Sequence, residues 1–596
     1  MINTDKGDAA KQAADDAGVR ALLTCWVRET TNWSLEPRAR FPELAATPAA
    51  PVLVVPLPHW NARLVAGVTR QSRTFRHELR SPVHVVVGDL PPRPIRIETL
   101  AALLTDELGP GPNGSLLSRI LDSTSAVAAH LRARATEIDR LWSPEPLSFG
   151  ESEQALLLGH MAHPTPKSRG EMTSCQRLAY SPETAGRFSL RWLAVEPDLV
   201  RHASAVETPA PELAEHLLRK DPATDLVALD AMLDAVGPRI LIPAHPFEAD
   251  HLADDPATAR LFGNGSVVDL GELGSPYLPT TSVRTVYRRE APWQLKFSLH
   301  VRVTNSMRVT LPKELDRAVE AATLALTDVG RQVRAVAPRF TLLQDPAYLT
   351  VADDAQLSNG FSVLLRENRW QPGAACDVSA LTTLCQDHPY GGRSRLAAIV
   401  AAIARREHRS ETDVAREWFA RFCDVVVRSL IRLYLDVGLC FEAHQQNTLV
   451  ELDSGWPVHG VYRDSQGYFH REAAHADLTQ VIPRLGEATE SIFPEALADE
   501  RLVYYLFVNL TLGVVNALGT TVDEDVLLRD VRRLLNDERS PGGRYPASLL
   551  DRLLDDERWP CKANLLTRAH DMDELVGDIA SQSVYVTLPN PLREDQ

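Results

Sequence analysis

The amino-acid sequence predicts an α+β protein with three domains, and three observations carry that reading. Trp142-Ser143-Pro144-Glu145-Pro146 is a cluster of helix breakers that closes a mixed N-terminal domain. Loops rich in Gly, Pro and Thr then alternate with strand-like runs. Beyond His388-Pro389-Tyr390-Gly391-Gly392 the apolar residues recur every three to four positions, so the last domain is mainly helical. The expected boundaries are 1–145, 146–392 and 393–596. A chain of 596 residues has room for about three or four domains.

Taken in order, residues 1–18 read as an acidic polar tail. Leu116 to Trp142 has helical periodicity, and Val52 to Leu57 and Val83 to Val87 are short β-branched runs that predict strands. The middle domain is expected to hold helical stretches near 211–236 and 312–335. Leu295, Phe297, Leu299, Val301 and Val303 alternate with Lys296, Ser298, His300, Arg302 and Thr304, the period-two pattern of a half-buried strand. Trp418, Phe419, Phe422, Val426, Leu430, Leu433, Tyr434 and Val437 line one face of a long helix that Gly438 stops. After it, Thr448 to Leu452 and Val458 to Tyr462 form a hairpin about Asp453-Ser454-Gly455.

Composition excludes several classes. With 63 Lys and Arg against 79 Asp and Glu the formal charge is −16, which argues against a duplex nucleic-acid binder. The longest apolar runs fall short of the roughly 18 residues a spanning helix needs, and the N-terminus resembles no targeting signal, so the expected location is the cytoplasm with no membrane partner. The seven cysteines show no CxxC spacing and read as buried thiols. Only seven basic residues are lysine, and Lys167, Lys296 and Lys562 fall in unusual segments, where a compact ammonium is not interchangeable with a guanidinium.

Three segments carry chemistry. Gly159-His160-Met161-Ala162-His163-Pro164-Thr165-Pro166-Lys167-Ser168-Arg169-Gly170 is an extended loop with the composition of an anion cradle; a solvated basic loop or a zinc pair is the bland alternative. The second runs from Ser282, Arg284 and Thr285 through Lys296 to Thr304, Asn305 and Arg308, where hydroxyls and cations suit phosphate. On a straight strand Lys296 and Thr304 stand roughly 26 Å apart, so they share one ligand only if it is long or the strand bends. The third is Glu442, His444, Gln446 and Asn447, followed by the hairpin and Arg463-Asp464-Ser465-Gln466-Gly467. Asn before a hairpin and Asp after it is the logic by which kinase-like folds hold the magnesium of a nucleotide.

Together these segments resemble the NRPS-independent siderophore synthetases, the aerobactin-synthetase-like family. Its basic loop is matched by His160, His163, Pro164, Lys167 and Arg169, its SxRT stretch by Ser282, Arg284 and Thr285, and its following lysine by Lys296. Thr304 and Arg308 match TSxxR; His444, Gln446, Asn447 and Asp464 match HxQN and RDxxG. The chain departs at Met161, at Asn305, and at His245-Pro246-Phe247-Glu248, where an HPWQ-like segment is typical. The family's C-terminal region is related to ferric-siderophore reductases, but this chain lacks the clustered cysteines of an iron–sulfur site, so no redox activity is expected.

The resemblance implies a cupped hand of thumb, fingers and palm, a homodimer, and ATP with Mg²⁺ as cofactors. It implies adenylation of a polycarboxylate, usually citrate or a citryl derivative, and condensation with an amine or alcohol, releasing AMP and pyrophosphate. His163, Ser282, Arg284, Thr285 and Lys296 would hold the phosphates with Lys167 nearby, and Arg308, His444 and Gln446 complete the nucleotide contacts. Thr304, Asn305, Arg308, His444 and Lys562 would meet the acid; Glu442, Asn447 and Asp464 the metal. Arg308, His444 and Lys296 are the catalytic candidates. A general base is not required, but His444, with an unperturbed pKa near 6.5, is the candidate. A small-molecule kinase and a non-catalytic binder of ferric siderophore or citrate are the competing readings.

Overall fold

The structure, a computed structural model, describes residues 4–41, 44, 50–109, 114–353, 356–374, 377–574 and 582–593. The expected polar tail is instead the start of a helix, Thr4–Glu29. Its first turns bury Ala10, Ala13 and Ala14, side chains small enough to pack closely and too weakly apolar to reveal the face in the sequence. The helices Thr4–Glu29, Ile97–Glu107 and Ser115–Ala133 cover a six-stranded antiparallel sheet ordered Ser34–Glu36, Val52–Leu57, Ala62–Arg70, Val83–Val87, Arg93–Ile95, with Glu78–Leu79 beside Ala62–Arg70. Both expected strands stand at their expected bounds.

The middle region is an eight-stranded antiparallel sheet in the order Val200–Ser204, Ala347–Asp353, Gln356–Glu367, Trp293–Phe297, Thr285–Tyr287, Val267–Pro279, Phe188–Val195, Ile240–Ala244. Each expected helical stretch is a pair of helices, Ala210–Arg219 with Leu226–Val236 and Pro312–Ala325 with Asp328–Val336. The second helix of each pair starts on its own cap, Asp225 and Thr327, which the apolar period alone conceals. Helices Pro246–Asp254 and Pro256–Gly263 add to them.

The expected continuous strand at 295–304 is broken. Trp293–Phe297 belongs to the large sheet, whereas Leu299–Val303 pairs with Ser306–Arg308 in a separate two-stranded hairpin. Ser298 is the hinge: its N–H donates to Ser362 O at 2.9 Å and its Oγ accepts from Thr310 N–H at 2.9 Å. Trp293–Phe297 is moreover buried on both faces rather than one.

The C-terminal region packs helices around a four-stranded sheet ordered Phe340–Leu343, Trp456–Arg463, Thr448–Asp453, Val378–Ala380. The hairpin turns at Ser454 (φ 51°) and Gly455 (φ 83°), and Gly438 (φ 76°) ends the long helical run, which contains π-helical turns at Cys423–Val427 and Leu433–Val437. Glu495–Leu518 is long and apolar enough to cross a membrane, with mean hydropathy 1.4, but 89% of that window is buried inside the protein, as in a core helix. The chain end returns to the N-terminal sheet and its helices: Glu29 Oε1 and Oε2 accept the N–H groups of Leu565 and Leu566 at 3.0 and 2.9 Å, and Leu565 is buried in the N-terminal core. Of the cysteines, Cys25, Cys385, Cys423, Cys440 and Cys561 are buried as expected; Cys175 is exposed, and Cys376 lies outside the described residues.

Candidate active site

The three segments meet at one cavity of about 340 Å³. Among the described residues its lining carries eight Lys and Arg side chains against four Asp and Glu, an excess of positive charge in a chain whose formal charge is −16. Of the residues singled out by sequence, His163, Lys167, Ser282, Arg284, Thr304, Asn305, Arg308, Glu442, His444, Gln446, Asn447, Asp464 and Lys562 line it. Thr285 and Lys296 do not. Lys296 reaches the site through its ion pair, and Thr285 supports the turn below it by giving its N–H to Ser282 Oγ at 3.2 Å.

Asp464 organises the centre. Its Oδ1 accepts from Lys296 Nζ at 2.6 Å and its Oδ2 from Asn447 Nδ2 at 3.3 Å. Burial favours the protonated acid, but the Lys296 ammonium and the Arg366 guanidinium outweigh it and hold Asp464 well below the ordinary carboxylate range. Burial conversely lowers Lys296 to about 8, with Asp464 opposing the shift. Asp464 has φ 139°, a strained conformation for a residue with a Cβ, retained at the bend where the hairpin strand Trp456–Arg463 ends. Glu442 stands beside it. A Cβ on Gly467 would lie 2.9 Å from Glu442 Cβ, so only glycine lets these segments approach this closely. Among the described residues the Glu442 carboxylate accepts no hydrogen bond, and burial raises its pKa. Two carboxylates and an amide oxygen, one carboxylate without a proton donor, are a donor set that suits a hard divalent cation.

The hinge at Ser298 answers the 26 Å span. The chain turns out of the sheet after Lys296, so that Thr304, Asn305 and Arg308 come back to the cavity that Asp464 borders. Arg308 Nη2 donates to Val303 O at 2.9 Å and Thr304 Oγ1 at 3.0 Å, while its buried Nε has no partner among the described residues. Burial lowers Arg308 to about 10, with Arg284 adding to the shift. An orphaned guanidinium N–H costs free energy unless an anion meets it. Arg284 donates to Arg308 O at 3.3 Å and to Gln466 Oε1. Lys562 Nζ pairs with Glu574 at 2.7 Å; burial acts to raise Glu574, but Lys562 prevails and holds it at about 2.

Several expectations need correction. The basic loop is not an open cradle: Lys167 Nζ donates to Leu156 O at 2.6 Å and to Glu183, and Arg169 grips Glu183 through Nη1 at 2.9 Å and Nη2 at 2.7 Å. All three are buried, and the two cations share this one carboxylate. His163 is likewise engaged: its Nδ1 accepts from Thr165 N–H at 3.1 Å, which leaves Nε2–H to donate to Asn305 Oδ1 at 2.9 Å, and burial lowers its pKa to about 3. Burial also lowers His444 to about 3, far from the 6.5 a general base there would need. Its Nδ1 accepts from Asn447 N–H at 3.3 Å, so the ring presents Nε2–H as a neutral donor.

The sequence reading missed Glu183, Glu574, Gln466 and Arg317. Arg317, on the helix Pro312–Ala325, donates to Gln466 O at 2.8 Å and fixes the segment that follows Asp464. Only the RDxxG context of Gln466 was visible; the others stand in no motif. Lys313 also borders the cavity and pairs with Glu490 at 2.7 Å. The π-helical run Val503–Thr511 places Tyr504, Tyr505 and Asn509 on the cavity wall.

A rhizobactin siderophore biosynthesis protein, RhbC of Rhizobium meliloti (strain 1021), is 43% identical over 486 residues, 81% of each chain. The model of the IucA / IucC family matches residues 148–386. The chain belongs to the IucA/IucC family. The spermidine-citrate ligase of Bacillus anthracis is 32% identical over 98% of each chain. The structure of ATP-bound aerobactin synthetase IucA from a hypervirulent pathotype of Klebsiella pneumoniae superposes with a TM-score of 0.86 at 30% identity, covering 97% of this chain and 99% of that one. Residues 416–577 also match the model of the ferric iron reductase FhuF-like transporter family.

Proposed function

We propose that this IucA/IucC family member is an ATP- and Mg²⁺-dependent ligase of siderophore biosynthesis that joins citrate, or a citryl derivative, to an amine or alcohol. The observation that carries it is the cavity itself: a positively charged lining around Glu442, Asn447 and Asp464, inside a strongly acidic chain. A carboxylate and a triphosphate repel each other, and a site that unites them must supply fixed cations.

A carboxylate oxygen of the acid attacks the α-phosphorus, an O–P bond forms, and pyrophosphate leaves. The nitrogen or oxygen of the acceptor then attacks the acyl carbon, gives up its proton to solvent, and AMP departs. Arg308, whose Nε has no partner among the described residues, stands to neutralise the charge between acid and phosphate, supported by Arg284 and by Lys296 beside Asp464. His444 contributes Nε2–H as a donor and Lys562 and Thr304 face the acid; Glu442, Asn447 and Asp464 would hold Mg²⁺, which would offset phosphate charge. The N-terminal, middle and C-terminal regions serve as thumb, fingers and palm, with Phe340–Leu343 and Val378–Ala380 belonging to the sheet of the palm rather than to the fingers, and two copies form a homodimer.

Purified protein given ATP, Mg²⁺, citrate and a panel of diamines, amino acids and amino alcohols should release pyrophosphate in a citrate-dependent way, faster with one acceptor. ADP without pyrophosphate would mark a kinase instead and overturn the reading.

A further inference from the structure

We propose that Glu248, His251 and His300 form a metal site of their own, outside the active cavity, for a divalent first-row transition metal of which Zn²⁺ is the type. Glu248 and His251 lie three residues apart on the helix Pro246–Asp254, a spacing that brings both side chains to one face. His300 faces them from the strand Leu299–Val303. None of the three lines the cavity that holds Arg308 and Asp464. One donor atom from each lies within 4.8 Å of the other two, and the rings of His251 and His300 are 4.2 Å apart. Metal–ligand bonds of about 2.0–2.1 Å in a tetrahedral site separate donors by about 3.3 Å, so closure asks for a movement of about 1.5 Å. His251 is half-buried and its ring nitrogens hydrogen-bond to no described residue, which leaves it able to move.

Two further features fit a ligand set rather than an ordinary ion pair. The Glu248 carboxylate is buried and oriented twice by the same residue: Oε2 accepts the His300 backbone N–H at 2.8 Å and Oε1 meets His300 Nδ1 at 2.5 Å. Coordination would replace the second bond and keep the first, which then aims the carboxylate. Gly360 closes the pocket from the neighbouring strand, where a Cβ would lie 2.6 Å from Glu248 Oε1 and 3.3 Å from His300 Cε1. Two imidazoles and one carboxylate with solvent on the open side select a borderline metal; Mg²⁺ and Ca²⁺ demand oxygen. The metal would tie the helix to the strand that leads, through Val303, into Thr304, Asn305 and Arg308.

The test uses the full chain, stripped with EDTA and titrated with Zn²⁺ by calorimetry in excess Mg²⁺, with zinc counted after desalting. Wild type should retain one equivalent more than His251→Ala and His300→Ala, and Glu248→Gln should weaken that equivalent at least tenfold. Zn²⁺ should raise the melting temperature of wild type and not of His251→Ala. Because the His251 ring hydrogen-bonds to no described residue, that variant should keep the circular dichroism and zinc-free melting temperature of wild type. Equal zinc content and equal thermal response in wild type and folded His251→Ala would overturn the proposal.

Discussion

Replacing Glu183 by Gln tests whether the basic loop is held by a buried counter-charge. Glu183 is 1% exposed and accepts from Lys167 Nζ and from both terminal nitrogens of Arg169. Glutamine keeps the shape but strands two buried cations, and removing one partner of a buried ion pair costs about 3–5 kcal/mol. For a folding unit of about 150–250 residues each kcal/mol moves the melting temperature by about 2–4 °C, so the unit should melt about 6–20 °C lower. Burial raises the Glu183 pKa, but Arg169 and Lys167 outweigh it and hold the folded-state value well below 4.5. A depressed acid stabilises above its unfolded pKa and loses that contribution as pH falls, so the gap between wild type and Glu183→Gln should be full at pH 7 and shrink below about 4.5. Circular dichroism melts over a pH series read both quantities. Adding Lys167→Met to Glu183→Gln should restore some of the loss, since it removes one orphaned cation. The reasoning fails if Glu183→Gln melts within about 2 °C of wild type while Lys167→Met alone raises the KM for ATP more than about tenfold, because Lys167 would then serve the phosphates rather than the loop.

Because burial lowers Lys296 to about 8, kcat/KM for ATP should decline as pH rises through about 8 in a pyrophosphate-release assay, and a profile flat to pH 10 would remove Lys296 as a required cation. Glu442→Gln and Asp464→Asn should each raise the Mg²⁺ needed for half-maximal rate by about tenfold or more, measured at fixed ATP. His444→Gln, which retains an N–H donor, should keep more activity than His444→Ala, and neither should remove a pH limb near 6.5, since the imidazole is neutral down to about 3. Gly467→Ala, whose Cβ would crowd Glu442 Cβ at 2.9 Å, should lower kcat and raise the Mg²⁺ needed for half-maximal rate, read by the same titration.

Features written in neighbouring residues were legible from the start. Ser454-Gly455 specifies a tight hairpin, Gly438 stops a helix, and Val52 to Leu57 and Val83 to Val87 are β-branched runs bounded by breakers, because turn chemistry and periodicity act over a few residues. The motif residues around Glu442, Asn447 and Asp464 were legible for the same reason: the hairpin between them returns the chain to where it left. The alanine-lined helix at the N-terminus was hidden by its weak apolar contrast, and the break at Ser298 by an alternation that continues across it.

Tertiary structure alone decided the charges. Glu183 lies 16 residues beyond Lys167, Glu574 pairs with Lys562 across the helix Asn564–Ala569, and Lys296 meets Asp464 across 168 residues. Whether a cation in a motif is free to meet a phosphate depends on which carboxylate the fold brings to it, and whether His444 can act as a base depends on how much water the fold leaves around it. Desolvation and ion pairing are sums over spatial neighbours, so they exist only once the three segments have closed around the cavity.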